Sequence, residues 1–585
     1  MNKVLIIFLN SLVFFLGSSA LFSQNAPLTV FEKSGGKQTV TYEEGIAYWK
    51  NLSKDFASIN LSKKGLTDSG EPLHLIIYNK DQLFDSASIQ NSGKPIILIN
   101  NAIHAGEPDG VDASMMLLRD FALKPENYPF LDSVIVAVIP FYNIGGVLNR
   151  NSTSRVNQNG PEAYGFRGNA RNYDLNRDFI KMDTKNAFSF IDIFQWLDPA
   201  VFVDTHVTNG SDHQHVLTLI STQWNKLGGS LGTYLEQDFE KQIFASLESK
   251  GREPIVYVNV HGSSPNQGWQ QFWDAARYSS GYTSLYQSLG FISESHMWKP
   301  YKRRVENTYD YLASMIQLTA EEGKVIQEKR EADRAELLNA DSLTVTWQAD
   351  RDNFRMVTLR GYETSMRKSE VTGNDLLYYD KESPIEKEVP FYNSFKSTKK
   401  VAVPKYYIVP QAWSGVIKRL KANHVEMSRI EKDTLVEVAA YTIKNYETRS
   451  RAYEGHYPHY NTAVEEKNNK VSLRSGDYLI STKQLAKKYL AAALEPEAQD
   501  SFFNWNFFDT ILQQKEGFSD YVFEAKAKNI LADMPKATQD QFYEKQANDS
   551  TFAKSNYAQL DWIYKRSAHY EKAHLQYPVY RLFAK

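Results

Sequence analysis

In the stretch ILINNAIHAGEPDGVDASMMLLRDFAL, His104 and Glu107 stand three residues apart where an apolar run ends. An imidazole nitrogen and a carboxylate oxygen are both natural ligands for a divalent cation such as zinc. A gap of three lets one turn or helix start aim both side chains inward, and Pro108 suits the first turn of a following helix. A catalytic zinc takes three protein ligands and keeps a fourth position open. The stretch AVFVDTHVTNG offers His206 at the end of another apolar run. On spacing alone the pair is equally compatible with an ordinary polar turn, because H-x-x-E is a common chance pattern.

Other polar groups accompany these three. FRGNARNYDLNRDF sets Arg167, Asp174, Asn176 and Arg177 between the two ligand segments, and GFISESHMWKPY puts Glu294 at a later strand end. Four motifs run in this order across roughly residues 70–320: HAGE, R-G-N-A…D-L-N-R, a histidine ending a strand, and F-I-S-E. Together they resemble the zinc carboxypeptidase family, the funnelin-type metallocarboxypeptidases that include the pancreatic and regulatory enzymes.

The resemblance implies one Zn2+ per chain, held by His104, Glu107 and His206. It implies Glu294 as general base and then acid, taking a proton from zinc-activated water and passing it to the leaving amine. Arg167, nine positions before Asn176, is expected to stabilise the oxyanion, with Arg171 as its competitor. Asn176 and Arg177 are expected to bind the free C-terminal carboxylate of the substrate, which suits a planar guanidinium fork. Asp174 is expected to orient a zinc-bound histidine. The family's substrate tyrosine falls where this chain has Phe272 and Trp273. Tyr278, Tyr282 and Tyr286 are the substitutes, and Tyr282 is the one expected.

The activity so implied is hydrolysis of the last peptide bond of a peptide or protein C-terminus. A zinc amidase of the same fold, acting on cell-wall peptides or acylated amino acids, is the alternative. A reading from another class is a non-catalytic peptide- or glycan-binding module. His213 and His215, in SDHQH, read as substrate contacts or exposed residues rather than a second metal site. His456 and His459, in HYPHY, read as a surface aromatic loop.

The elements that must position these residues are legible around them. Short apolar runs (LHLIIY, KPIILIN, SVIVAVIP, AVFVDTHV, HVLTLIS, PIVYVNV, GFISESH) alternate with amphipathic segments from about residue 40 to 320. The pattern predicts an α/β domain with a mixed, largely parallel sheet sandwiched by helices. Sites in such sheets gather beyond the carboxyl ends of the strands, where His104 and His206 both fall. A charged helical stretch over 320–340 closes this domain, assigned to residues 24–335. An α+β C-terminal region follows: a β-rich part over 341–395, then a small α/β unit with a helical tail over 396–585.

Composition bounds the rest. A chain of 585 residues is too long for one hydrophobic core, and 42% hydrophobic content can fill several. With 67 basic against 69 acidic residues, no electrostatic case exists for nucleic acid. No cysteine is present, so disulfides, thiol nucleophiles and cysteine metal ligands are excluded. The N-terminal MNKVLIIFLNSLVFFLGSSALFSQ has the layout of a secretory signal peptide over residues 1–23. A secreted or periplasmic enzyme is therefore expected, with no transmembrane segment once that peptide is removed. The sequence does not address oligomeric state.

Overall fold

The computed structural model describes residues 27–208 and 210–583. The signal peptide expected over 1–23 lies outside the described residues. Eight strands form the central sheet: β1 (Ile59–Leu66), β2 (Pro72–Tyr78), β3 (Ile96–Asn100), β4 (Ile135–Ile139), β5 (Val201–Thr208), β6 (Leu217–Ser221), β7 (Ile255–Val256) and β8 (Leu289–His296). Their spatial order is β1-β2-β4-β3-β5-β8-β6-β7. The central four, β4, β3, β5 and β8, run parallel, while β1, β2 and β6 join antiparallel. Isoleucine, valine and leucine dominate the parallel strands because both faces are covered, and every residue of β3, β4 and β5 is buried.

Period-two alternation sends the side chains of these strands into two cores. Ile97, Ile99, Val136, Val138, Val201 and Val203 face helices α1 (Tyr42–Asp55), α2 (Asp109–Leu123) and, from the chain's later part, α4 (Tyr301–Glu321). Ile96, Leu98, Ile135, Ala137, Ile139 and Phe202 face α3 (Lys185–Leu197) on the other side. That second core continues without a break into the C-terminal region, where Tyr407, Leu420, Tyr489, Leu490, Phe502 and Trp505 belong to the same cluster. The C-terminal region is thus packed against the sheet domain and shares its core.

Two features differ from the sequence pattern. PIVYVNV pairs only through Ile255–Val256, because Val258 packs against Leu359 and Val389 of a long neighbouring hairpin and leaves the ladder. That hairpin, Arg355–Lys368 with Asp375–Tyr392, pairs through Phe391 with Trp269 of the sheet domain. Its flanking strand, Phe395–Ala402, pairs with Ser342–Ala349, so the β-rich part extends past residue 395. The remaining C-terminal strands form a six-stranded sheet that contains a second long hairpin, Thr434–Thr448 with His459–Leu473. The small α/β unit holds Tyr406–Val409 and the helix Ser414–Ala422, and helices between Asp520 and Tyr564 make the tail. Among the described residues, no helix is long and apolar enough to cross a membrane.

Candidate active site

His104 and Glu107 occupy the turn between β3 and α2, closed by a backbone bond from Glu107 N–H to the His104 carbonyl of 2.9 Å. Gly110, just inside α2, lets that turn sit against β5. A Cβ there would lie 2.1 Å from Thr205 Oγ1 and 2.4 Å from Asn101 Oδ1. His206 comes from β5 and Glu294 from β8, and the parallel register sets the two directly side by side. Neighbours in register share a sheet face, so strand pairing alone brings ligand and carboxylate together.

The three ligand candidates converge: one ligand atom from each of His104, Glu107 and His206 lies within 4.8 Å of the others. His104 Nδ1 is 3.1 Å from Glu107 Oε1, and His206 Nδ1 is 3.2 Å from both Glu107 Oε2 and His104 Nδ1. The outer ring nitrogens face carboxylates, with His104 Nε2 3.0 Å from Asp174 Oδ1 and His206 Nε2 3.1 Å from Asp204 Oδ2. Each imidazole is thus set between two carboxylates, Glu107 on the inner side and Asp174 or Asp204 on the outer, with both Nδ1 atoms facing the same point. Burial opposes charge on His206, yet Asp204 and Glu107 outweigh it and push its pKa well up. The nitrogen and oxygen donors of this centre suit zinc.

Arginines surround this anionic knot. Arg167 pairs with Asp174 at 2.7 Å and reaches His104 Nδ1 at 3.3 Å, while Arg155 bonds Glu107 Oε1 directly. Burial raises the Glu107 carboxyl, but Arg155 and His104 more than reverse this and hold it well below its ordinary value. Burial likewise works against the Asp174 carboxylate, and His104, Arg177 and Arg167 bring it down. Burial has the upper hand at Glu294, where Glu107 adds to it and His206 opposes it, and the carboxyl is pushed up to about 7.

These groups open on a cavity of about 390 Å³ that includes His104, Glu107, Arg155, Arg167, Asn176, Arg177, His206 and Glu294 in its lining. Arg177 stacks over the Tyr278 ring at 4.5 Å, and Asn176 is braced by a 3.0 Å bond from Ser279 N–H to its Oδ1. Arg171 turns away to the Asp183 carbonyl at 3.0 Å and is half exposed, so Arg167 is the arginine beside the ligands. Tyr282 does not reach the cavity. It is fully buried in the second core, donating its hydroxyl to Asn423 Oδ1 at 2.6 Å; Tyr278 departs from it because it is the extended residue before the short helix Ser279–Thr283, while Tyr282 lies within that helix. Tyr278, Phe272 and Tyr257 line the cavity instead.

His213 and His215 are buried, not exposed. His213 packs edge-on to His296, and His215 is used at both nitrogens, by the Glu253 carbonyl and by Arg360 N–H. His456 is bound to Asp183 at 2.7 Å, so HYPHY is not a free surface loop. Arg155, Asp204 and Tyr257 were not singled out from the sequence. The D-x-H spacing of Asp204 and His206 on one strand carried a usable signal, since residues two apart share a face. Arg155 and Tyr257 sit in irregular loops and carried none.

A mixed α/β sheet that presents two histidines, a glutamate and a neighbouring carboxylate in one cavity fits the class of zinc metallopeptidases. Comparison narrows the class. Residues 46–264 match the family model described as zinc carboxypeptidase. Carboxypeptidase 2 of Trichophyton rubrum is 23% identical over 453 residues, covering 71% of this chain and 75% of that protein. Carboxypeptidase 2 of Trichophyton tonsurans is 22% identical over 447 residues, covering 70% and 74%. Among solved structures, a metallo-carboxypeptidase from Pseudomonas aeruginosa in complex with (2-guanidinoethylmercapto)succinic acid aligns with 14% identity and a TM-score of 0.37, covering 48% of this chain and 69% of that one. Over residues 46–264, most of its sheet domain, the chain is thus similar to the zinc carboxypeptidase family.

Proposed function

We propose that the protein is an exported metallocarboxypeptidase that removes the C-terminal residue of peptides, with one zinc ion held by His104, Glu107 and His206. The observation that carries this reading is the in-register pair His206 and Glu294, which share one cavity with Arg167 and Arg177. Zinc, when bound, supplies a Lewis acid and a lowered pKa for water.

The chain's own residues do the rest. Asp174 and Asp204, at the outer nitrogens of the two imidazoles, would orient them as ligands. The Glu294 carboxylate takes a proton from the attacking water and delivers it to the leaving amine. Glu294 must be ionised for the first of these transfers, and a cation held by the three ligands would draw its pKa down from about 7. Arg167 offers N–H donors where the oxyanion develops. Arg177, with Asn176 beside it, grips the substrate's free carboxylate. Tyr278 takes the substrate-facing place expected of Tyr282.

The cavity also includes Ile220, Ile292, Phe272 and Tyr257, and among the described residues its only carboxylates are Glu107 and Glu294. With both committed to the reaction, no acidic partner is left for a lysine or arginine side chain. Apolar and aromatic C-terminal residues are therefore preferred. The test is mass spectrometry of a peptide library, free and amidated at the C-terminus, digested by purified protein with and without chelator. Trimming of free peptides ending in apolar residues, abolished by the chelator, is expected. Equal cleavage of amidated peptides would sink the carboxylate grip, and chelator-resistant activity would sink the metal site.

A further inference from the structure

The turn Tyr453–His456 of the C-terminal region carries a motif left unused by this account. It connects the two strands of the second long hairpin, and its ends are tied by reciprocal backbone bonds between Tyr453 and His456 of 2.8 and 3.1 Å. Its centre, Glu454-Gly455, has φ of +51° and +79°, the geometry of a two-residue type I′ turn. Such a turn protrudes as a narrow tip, and this tip lies on the D-L-N-R segment of the sheet domain. Gly455 is in such close contact that an added Cβ would fall 2.5 Å from the Tyr173 hydroxyl.

Two side chains of the tip meet the cavity's polar groups from behind. Glu454 Oε2 accepts the backbone N–H of Asp174 at 2.8 Å, and the Tyr453 hydroxyl lies beside the Arg177 guanidinium, where it favours the charged form. Asp174 is the hub of the site, because its carboxylate bonds His104, the Asn176 N–H and Arg167, with Arg177 3.8 Å away. The tip is itself anchored. Tyr453 stacks on Trp505 at 6.1 Å, and His456 binds Asp183. Tyr453 is not part of the cavity lining.

We infer that Tyr453 and Glu454 are positioning residues for the substrate-carboxylate grip, so that the C-terminal region is a working part of the active site rather than an attached module. Tyr453 orients Arg177 across the Tyr278 ring, and Glu454 fixes the height of Asp174. This inference rests on the carboxypeptidase reading above.

The test measures KM and kcat of the full-length zinc enzyme on one peptide, free and amidated at its C-terminus. Tyr453→Phe removes a single hydroxyl. It is expected to raise KM for the free peptide about tenfold, the loss of one polar neighbour of the guanidinium, with kcat, zinc content and Tm nearly unchanged. In an Arg177→Ala background Tyr453→Phe is expected to add nothing, because both act through one guanidinium. Glu454→Ala should impair the same parameter, and Glu454→Gln, which keeps an acceptor for Asp174 N–H, should restore it. An unchanged KM in Tyr453→Phe, or a penalty that adds to that of Arg177→Ala, overturns the inference alone. Wild-type enzyme that cleaves free and amidated peptide alike overturns the carboxylate-grip reading itself, and the inference with it.

Discussion

Facing imidazole lone pairs repel unless a proton or a metal ion lies between them, and the Nδ1 atoms of His104 and His206 stand only 3.2 Å apart. The residues around them are arranged to keep that arrangement in place. Glu294→Gln leaves the ligands and their supporting carboxylates intact, so zinc content should be unchanged while turnover falls on the order of 10²–10⁴-fold. Metal analysis beside a rate assay checks this, and a near-normal rate would move the base elsewhere. Arg155 has a different part, since it bonds a ligand oxygen and holds the Glu107 carboxyl down. Arg155→Ala should weaken zinc binding about 10–100-fold, read by competition with a chelator of known affinity. An unchanged dissociation constant would reduce Arg155 to a structural ion pair.

Strand register and one tight turn decide where the chemistry can occur. The pairing of β5 with β8 sets His206 against Glu294, and the β3–α2 turn brings His104 and Glu107 onto the same edge. The close approach of α2 to β5 depends on Gly110, whose missing side chain leaves room for Thr205 and Asn101. Gly110→Ala should therefore lower stability by about 1–3 kcal/mol through overpacking, seen as a reduced Tm of the metal-free protein. A Tm equal to that of wild type would show that the turn has slack. Most of these elements were legible from apolar runs ended by polar residues. The identity of the cavity tyrosine was not, because Tyr278 and Tyr282 lie on one short segment and only the packing of Tyr282 against Asn423 separates them.

Across the whole molecule, the sheet domain and the C-terminal region are held together by a shared apolar core and by a buried polar node. Asp183 is the centre of that node, bonded to Lys181 at 2.7 Å, Arg419 at 3.0 Å and His456 at 2.7 Å. Burial would raise its carboxyl, but His456 and Lys181 dominate and hold it far below the ordinary 3.8. A depressed carboxyl contributes stability that is fully present above its unfolded pKa and is lost as pH falls toward the folded value. The Tm gap between wild type and Asp183→Asn should then be widest near neutrality and narrow below about pH 4. A gap independent of pH would remove Asp183's charge from the account.

The sequence by itself determined the candidate ligand types, their order along the chain and the α/β scaffold, because side-chain chemistry and strand periodicity are local properties. The roles expected of HAGE, D-L-N-R and F-I-S-E came from the resemblance to the zinc carboxypeptidases and not from spacing. Only the tertiary structure decided which arginine stands beside the ligands, which tyrosine faces the cavity, and that Arg155 bonds Glu107 from an irregular loop. It alone brought Tyr453 and Glu454 to a segment some 280 residues earlier in the chain. Such contacts follow from how two packed layers meet, and no period or motif within either segment encodes that meeting.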